Sequence, residues 1–190
     1  DAYFDVPWRR RPGAGPVLTN LIHELDSLRV IAGEIARVSA DTGHAARGGE
    51  VEDTAAVVLR FANGALGTIL ASDAVPSRWS YEAATGENPT YFHTQADCGF
   101  FCGTAGSLAF PSLTLTRYPE AGKAGRQHPL VSERLPAGAG DPLEAQLVHF
   151  GRVVRGLEAP RTDGDDGLRT LEAAFAVLAS ARTGRPVDLA

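Results

Sequence analysis

One histidine stands where the surrounding residue types could do proton chemistry. His23 is flanked by Thr19, Asn20, Asp26 and Ser27. On a helix these five residues fall three and four positions apart and share one polar face. An imidazole takes up and returns a proton near neutral pH, and hydroxyl, amide and carboxylate groups one turn away could orient it or relay the proton. The same spacing equally suits a histidine that only bonds a neighbour at a helix surface.

The other constellations read as structure. Cys98 and Cys102, with His93 nearby, have a Cys-x3-Cys spacing that departs from the usual zinc pairs, and no second Cys/His pair exists. No metal site is expected; two partly buried thiols in a loop is the plainer reading. Gly13-Ala14-Gly15 resembles the start of a dinucleotide fingerprint, and Glu34 lies about 20 residues on, where a ribose partner would be sought. Leu18 holds the third glycine position, however, and Arg9, Arg10 and Arg11 precede the motif where a buried strand is needed. No cofactor-binding residues are therefore expected in this chain, and the glycines are read as a tight entry into a helix. Asp163, Asp165 and Asp166 lack EF-hand ligand spacing and are expected to cap the helix that follows them. Gln146 and His149 are read as packing contacts on a helix flank.

These residues need elements to hold them. Residues 1–8 read as the tail of an extended segment, since Tyr3, Phe4 and Val6 favour a strand that Pro7 ends. The spacing of Leu18, Leu21, Ile22, Leu25, Leu28 and Ile31 predicts a helix from Pro16 to Ala32, with Gly33 just past its end. A strand is predicted over 34–41, then a flexible loop over 42–50. Alternation over 54–61 and 65–73 about Asn63-Gly64 predicts a hairpin with positive φ available at both turn residues. Short strands are expected at 79–84, 107–110, 113–118 and 130–135, with a long polar and aromatic loop containing Tyr91 and His93 between them. Asp141, Pro142 and Glu144 predict a capped helix whose core stripe is Leu143, Leu147, Phe150 and Val154. A last helix over 166–182 is expected to face the core with Leu168, Leu171, Phe175 and Leu178, and Val187 and Leu189 to add a final strand. A helix, a run of strands and two helices make an α+β layout, a mainly antiparallel sheet with helices on one face.

Composition sets the class. The 190 residues carry a net charge of −5, with 44% hydrophobic and 22% charged, as in an ordinary globular chain. One domain over 1–190 is expected, long enough to bury a core. The acidic balance argues against nucleic acid or an anionic membrane as main partner. No window supplies a membrane span, the first ten residues hold no signal-peptide core, and two cysteines are too few for a disulfide framework, so a cytoplasmic location is expected. The chain opens on Asp1 and contains no methionine. It is read as a processed chain or an excised domain.

Together the motifs resemble the C-terminal domain of the glucose–fructose oxidoreductase, inositol dehydrogenase and rhizopine-catabolism family (Gfo/Idh/MocA). WRRRPGAGPVLTNLIHELD is similar to that family's W-R…G-G-G…H-x-x-D helix entry, VEDTAAVVLRFANGALGTILAS to its central hairpin and GTAGSLAF to its G-T-x-G-S-L strand. DPLEAQLVHFGRVVRG and DGLRTLEAAFAVLASARTGRPVDL are similar to its two closing helices.

The resemblance implies an α+β domain with a large open antiparallel sheet. It implies an N-terminal Rossmann domain in the parent protein, binding NAD or NADP and supplying the catalytic lysine. It implies hydride transfer to or from a sugar, polyol or related hydroxy compound, and a homo-oligomer formed through the sheet. By position His23 matches the family's catalytic histidine. Thr19 stands where the family often carries Asp four residues earlier, with Asn20 beside it; neither can act as a carboxylate base. Arg9, Thr19, Asn20 and His93 are implied as substrate-binding residues, with Trp8 and Tyr91 bordering the cleft. The alternative reading is a non-catalytic module that binds a ligand and assembles through its sheet, or a parent that binds a sugar and nucleotide without redox chemistry.

Overall fold

The computed structural model describes residues 2–120, 122–138 and 140–189. Its elements in chain order are 3-10 turns at Ala2–Asp5 and Pro7–Arg10, a π turn at Val17–Leu21, and helix α1 (Ile22–Ala32). Strands β1 (Ile35–Gly43), β2 (Thr54–Phe61) and β3 (Leu66–Ser72) follow, then helix α2 (Tyr81–Thr85). Strands β4 (Gly99–Cys102), β5 (Ser107–Phe110), β6 (Thr114–Arg117) and β7 (Val131–Arg134) precede helices α3 (Pro142–Val154) and α4 (Gly164–Thr183), and β8 (Val187–Asp188) comes last. The chain divides into two compact units, Asp1–Val75 with Arg161–Ala190, and Pro76–Pro160.

The first unit carries an antiparallel sheet in the order β3-β2-β1-β8. Strand β2 alternates cleanly: Ala55, Val57, Leu59 and Phe61 are buried, while Ala56, Val58 and Arg60 are exposed. A period of two with one face wet requires cover on the other face. That cover is the π turn with α1 and α4, whose Val17, Leu21, Leu25, Ala173, Ala174, Ala176 and Val177 close the core over the sheet. The α+β class is therefore realised, with helices on one face of an open antiparallel sheet. Among the described residues the strands divide into two four-stranded sheets.

Three local expectations change in this unit. The N-terminal segment forms 3-10 turns instead of a strand. Arg9 Nη1 donates to the Tyr3 carbonyl and Arg10 Nε to the Phe4 carbonyl, so these backbone acceptors find guanidinium donors in place of a neighbouring strand. The hairpin turn uses positive φ only at Gly64, at +91°. Asn63 instead accepts from the Ala65 amide and donates to the Ala32 carbonyl, tying the turn to the end of α1. The last helix buries mostly a different face from the one predicted. Of the expected residues Leu178 packs, partly buried, against the core, but Leu168, Leu171 and Phe175 are exposed, and Thr170, Ala173, Ala174, Val177 and Ser180 face inward. Small side chains let α4 lie close to β1, near enough for Ser180 Oγ to accept the Ala40 amide at 2.9 Å.

The second unit holds an antiparallel sheet in the order β4-β5-β6-β7. The stretch read as a strand at 79–84 contains the short helix α2, because the Ser80 side chain caps it by accepting from Ala83 N. Strand β4 lies inside the segment read as one long loop. Helix α3 starts as predicted, Asp141 accepting from Leu143 and Glu144 amides at 2.8 and 3.3 Å. Its expected core stripe is not buried: Leu143, Leu147, Phe150 and Val154 are all exposed, Leu147 at 71%. Among the described residues of this unit no element covers that stripe.

Candidate functional site

The helix that carries His23 has an unusual beginning. Its entry, Gly15-Pro16, offers no side-chain oxygen to cap the first amides. The cap comes from 35 residues away, Glu52 Oε1 accepting from Val17 N at 3.1 Å. Gly15 makes that possible, since a Cβ on it would sit 2.2 Å from the Glu52 carboxylate. The Leu18 and Thr19 amides both reach the Gly15 carbonyl at 3.2 Å. The Ile22 amide then bonds the Val17 carbonyl, which closes a π turn. A π turn carries one residue more than an α turn and so resets which side the next residues present.

Within this turn Asn20 is exposed and Thr19 half-buried, and His23, two residues past it, is exposed. Thr19 Oγ1 lies 3.0 Å from the Gly15 carbonyl and 2.8 Å from Asn20 Oδ1. Asp26 does not join His23 in a relay. It accepts from Thr170 Oγ1 at 2.7 Å and lies 3.6 Å from Arg29 Nη1, so its carboxylate serves helix packing.

The other implied substrate residues belong to different units. The Arg9 guanidinium stacks 3.7 Å from the Tyr3 ring centroid and 5.4 Å from that of Trp8, an arrangement that folds it into the N-terminal turns. His93 belongs to the second unit. Its Nε2 is 3.0 Å from the Ala84 carbonyl, and its ring lies against Gly86 at the end of α2. Arg9, Thr19, Asn20 and His23 are all carried by the first unit.

Three polar residues that the sequence analysis passed over organise this region. Asp53 is buried at 1% exposure and accepts from Arg47 N at 2.9 Å and Thr54 Oγ1 at 3.0 Å. Burial pushes its carboxyl up, yet these bonds together hold it below the usual carboxylate range. Glu52, its chain neighbour, is thereby fixed under the helix start. Arg29 is buried and donates to Glu34 twice at 2.9 Å, to Asp166 Oδ1 at 2.8 Å and to Thr170 Oγ1 at 2.5 Å, locking α1 to α4. Hydrogen bonds from Arg29 are the main reason that Glu34 and Asp166 are held low. The sequence carried one signal that a distant acceptor was needed, a helix opening on Gly-Pro with no local cap, but nothing in it singled out Glu52.

The region does not fit a dinucleotide. Gly13 to Gly15 follow 3-10 turns and not a strand, and the Glu52 carboxylate takes the amide that a pyrophosphate would seek. Among the described residues no group of three or more His, Cys, Asp or Glu could hold a metal ion, and no helix is long and apolar enough to cross a membrane.

Residues 2–108 match the GFO/IDH/MocA C-terminal domain. The chain is 26% identical over 188 residues to a 1,5-anhydro-D-fructose reductase of Ensifer adhaerens, covering 96% of this chain and 50% of that protein. It thus spans about half the length of the curated relative it matches. Its fold is similar to that of an NAD-binding protein from Listeria innocua, with a TM-score of 0.70 at 20% identity, covering 96% of this chain and 50% of the other. It is also similar to the WlbA dehydrogenase from Bordetella pertussis, solved in complex with NADH and UDP-GlcNAcA. There the TM-score is 0.65 at 24% identity, covering 100% of this chain and 50% of the other. With the helix entry, the hairpin and the covered antiparallel sheet in that order, the chain belongs to the GFO/IDH/MocA family as a C-terminal domain of its kind.

Proposed function

We propose that this chain forms the substrate side of an NAD(P)-dependent oxidoreductase acting on a sugar, polyol or related hydroxy compound, and that the dinucleotide is held outside these residues. Relatives named as a 1,5-anhydro-D-fructose reductase and as a dehydrogenase with bound NADH support the reaction class. One structural observation carries the assignment of roles. His23 stands exposed two residues past a π turn, beside Thr19 and Asn20 on a helix start fixed from outside. An exposed imidazole on a rigid helix can exchange a proton with a substrate hydroxyl. The Asn20 amide and Thr19 hydroxyl would orient neighbouring hydroxyls. Neither is ionised, so any charge that forms on the imidazole would be met from elsewhere. Arg9, engaged in the N-terminal turns of the same unit, would border the substrate.

The test is His23→Ala in the intact polypeptide that contains this chain, assayed with NAD(H) and NADP(H) against 1,5-anhydro-D-fructose and a panel of sugars and polyols. Loss of general acid–base help lowers kcat by about 10²–10⁴-fold with a smaller change in KM. An unchanged kcat removes His23 from the mechanism.

The open face of the first sheet favours assembly as a second role. Leu70 is 80% exposed, and Leu66 and Val58 are exposed on the same side, opposite the helices. A homo-oligomer through this face would cover them. Sedimentation at micromolar concentration should give more than a monomer, and Leu70→Lys with Val58→Lys should dissociate it. A wild-type monomer at all concentrations removes this role.

A further inference from the structure

We infer that Glu52 is a positioning residue for the proposed proton-transfer site, acting through the helix start that presents Thr19, Asn20 and His23. The inference rests on the catalytic reading of His23 for its consequence but on separate geometry for its substance. Glu52 is the side chain shown capping this helix from outside, at Val17 N. Pro16 has no amide, so Val17 supplies the first helical N–H, and its partner decides where the turn begins. Two features hold the carboxylate in place. The absence of a side chain at Gly15 leaves the space it fills, and its chain neighbour Asp53 is buried and anchored by Arg47 N and Thr54 Oγ1. The Arg47 guanidinium also reaches Asp73, which ties the loop before β2 to the end of β3.

The consequence runs along the helix. Leu18 and Thr19 share one carbonyl, and Ile22 bonds five residues back, so the turn lacks the regular ladder that would fix it by itself. Without the Glu52 acceptor the Val17 amide is orphaned. The turn then gains an alternative, reverting to α geometry, and this rotates Asn20 and His23 relative to the sheet. Misplacement of a reacting group by about 1 Å can cost about 10²-fold in rate.

Two readouts test this, the first without any ligand. In Glu52→Ala, amide exchange from Val17 to Ile22 should quicken by at least about tenfold and the His23 ring resonances should shift, while β2 and β3 amides keep their protection. Glu52→Gln retains an acceptor oxygen and should restore both. Gly15→Ala drives a Cβ into the carboxylate and should reproduce the defect, and adding Glu52→Ala to it should make nothing worse. Should Glu52→Ala fail to fold, Gly15→Ala beside Glu52→Gln decides the matter. Unchanged exchange at Val17 to Ile22, or loss of protection spread evenly over β2 and β3, overturns the inference. The second readout is turnover of 1,5-anhydro-D-fructose with NADH or NADPH in the intact enzyme. Gly15→Ala should lower kcat about tenfold with KM little moved, and should have no further effect in a His23→Asn background. If His23→Asn leaves kcat unchanged, the catalytic reading fails while the exchange data still judge Glu52. If His23→Asn lowers kcat and neither Gly15→Ala nor Glu52→Ala does, Glu52 is no positioning residue.

Discussion

The two sheets of this protein are alike in strand number and antiparallel pairing, yet only one of them has a dry side. In the first unit β2 buries every second residue, and two helices close over Val57, Leu59 and Phe61. In the second unit none of the four strands carries a buried side chain, and Ala84 of α2 is the buried hydrophobic residue described there. The difference lies in the helices more than in the strands. Helix α4 has a face of Thr, Ala, Val and Ser small enough to lie against β1, whereas the apolar side chains of α3 are large and uncovered. A sheet becomes a core only when a helix with the right face can approach it closely. His23 is carried by the covered unit, where a rigid support suits a group that must be held in one geometry. The exposed aromatics Trp79, Tyr91, Phe92 and Phe100 belong to the uncovered one.

The contrast can be broken most severely in the cores. Leu59→Ala removes a fully buried side chain between sheet and helices and should cost about 2–5 kcal/mol in denaturant unfolding. Val131→Ala, on an exposed strand of the other sheet, should stay within about 0.5 kcal/mol. Equal costs would mean that the two sheets are not the different objects described above.

A smaller effect separates their ion pairs. Arg29 is buried and pairs with three acids, Asp26, Glu34 and Asp166, and with a threonine, whereas Arg117 and Glu133 pair in the open across β6 and β7. Arg29→Ala should cost about 2–3 kcal/mol, less than for a wholly buried pair because all three acids keep contact with water. Arg117→Ala should cost under about 1 kcal/mol. The pH dependence sharpens this. Glu34 and Asp166 are lowered in the folded state, so they stabilise the fold above their ordinary values and lose that contribution as pH falls through their folded values. Wild type should therefore lose stability below about pH 4 more steeply than Arg29→Ala. Parallel acid limbs in urea titrations would show that Arg29 does not hold these carboxylates.

The local chemistry of the chain was legible at several places where one short segment supplied both partners, though not at Ser80, whose cap on Ala83 N lies in a stretch read as a strand. The Asp141 cap, the Asp163 cap on Asp166 N, the β2–β3 hairpin and the end of α1 before Gly33 all follow from neighbours in sequence. The order of motifs was enough to identify the family. The faces of α3 and α4 were not legible, because periodicity finds an apolar stripe without saying what stands opposite it. On α4 two stripes compete, one of large residues and one of small, and the distance to β1 selects the small one.

For the candidate site, the sequence by itself determined residue types and their spacing: His23 one turn from Thr19 and Asn20, with a glycine and a proline before them. Tertiary structure decided which of the neighbours are available. It drew Asp26 away to Thr170 and Arg29, folded Arg9 onto Tyr3, and brought Glu52 beneath Val17. The physical reason is the same in each case. A buried or constrained polar group must find a partner, and the best partner is often 35, 141 or 144 residues away, where no local pattern can report it.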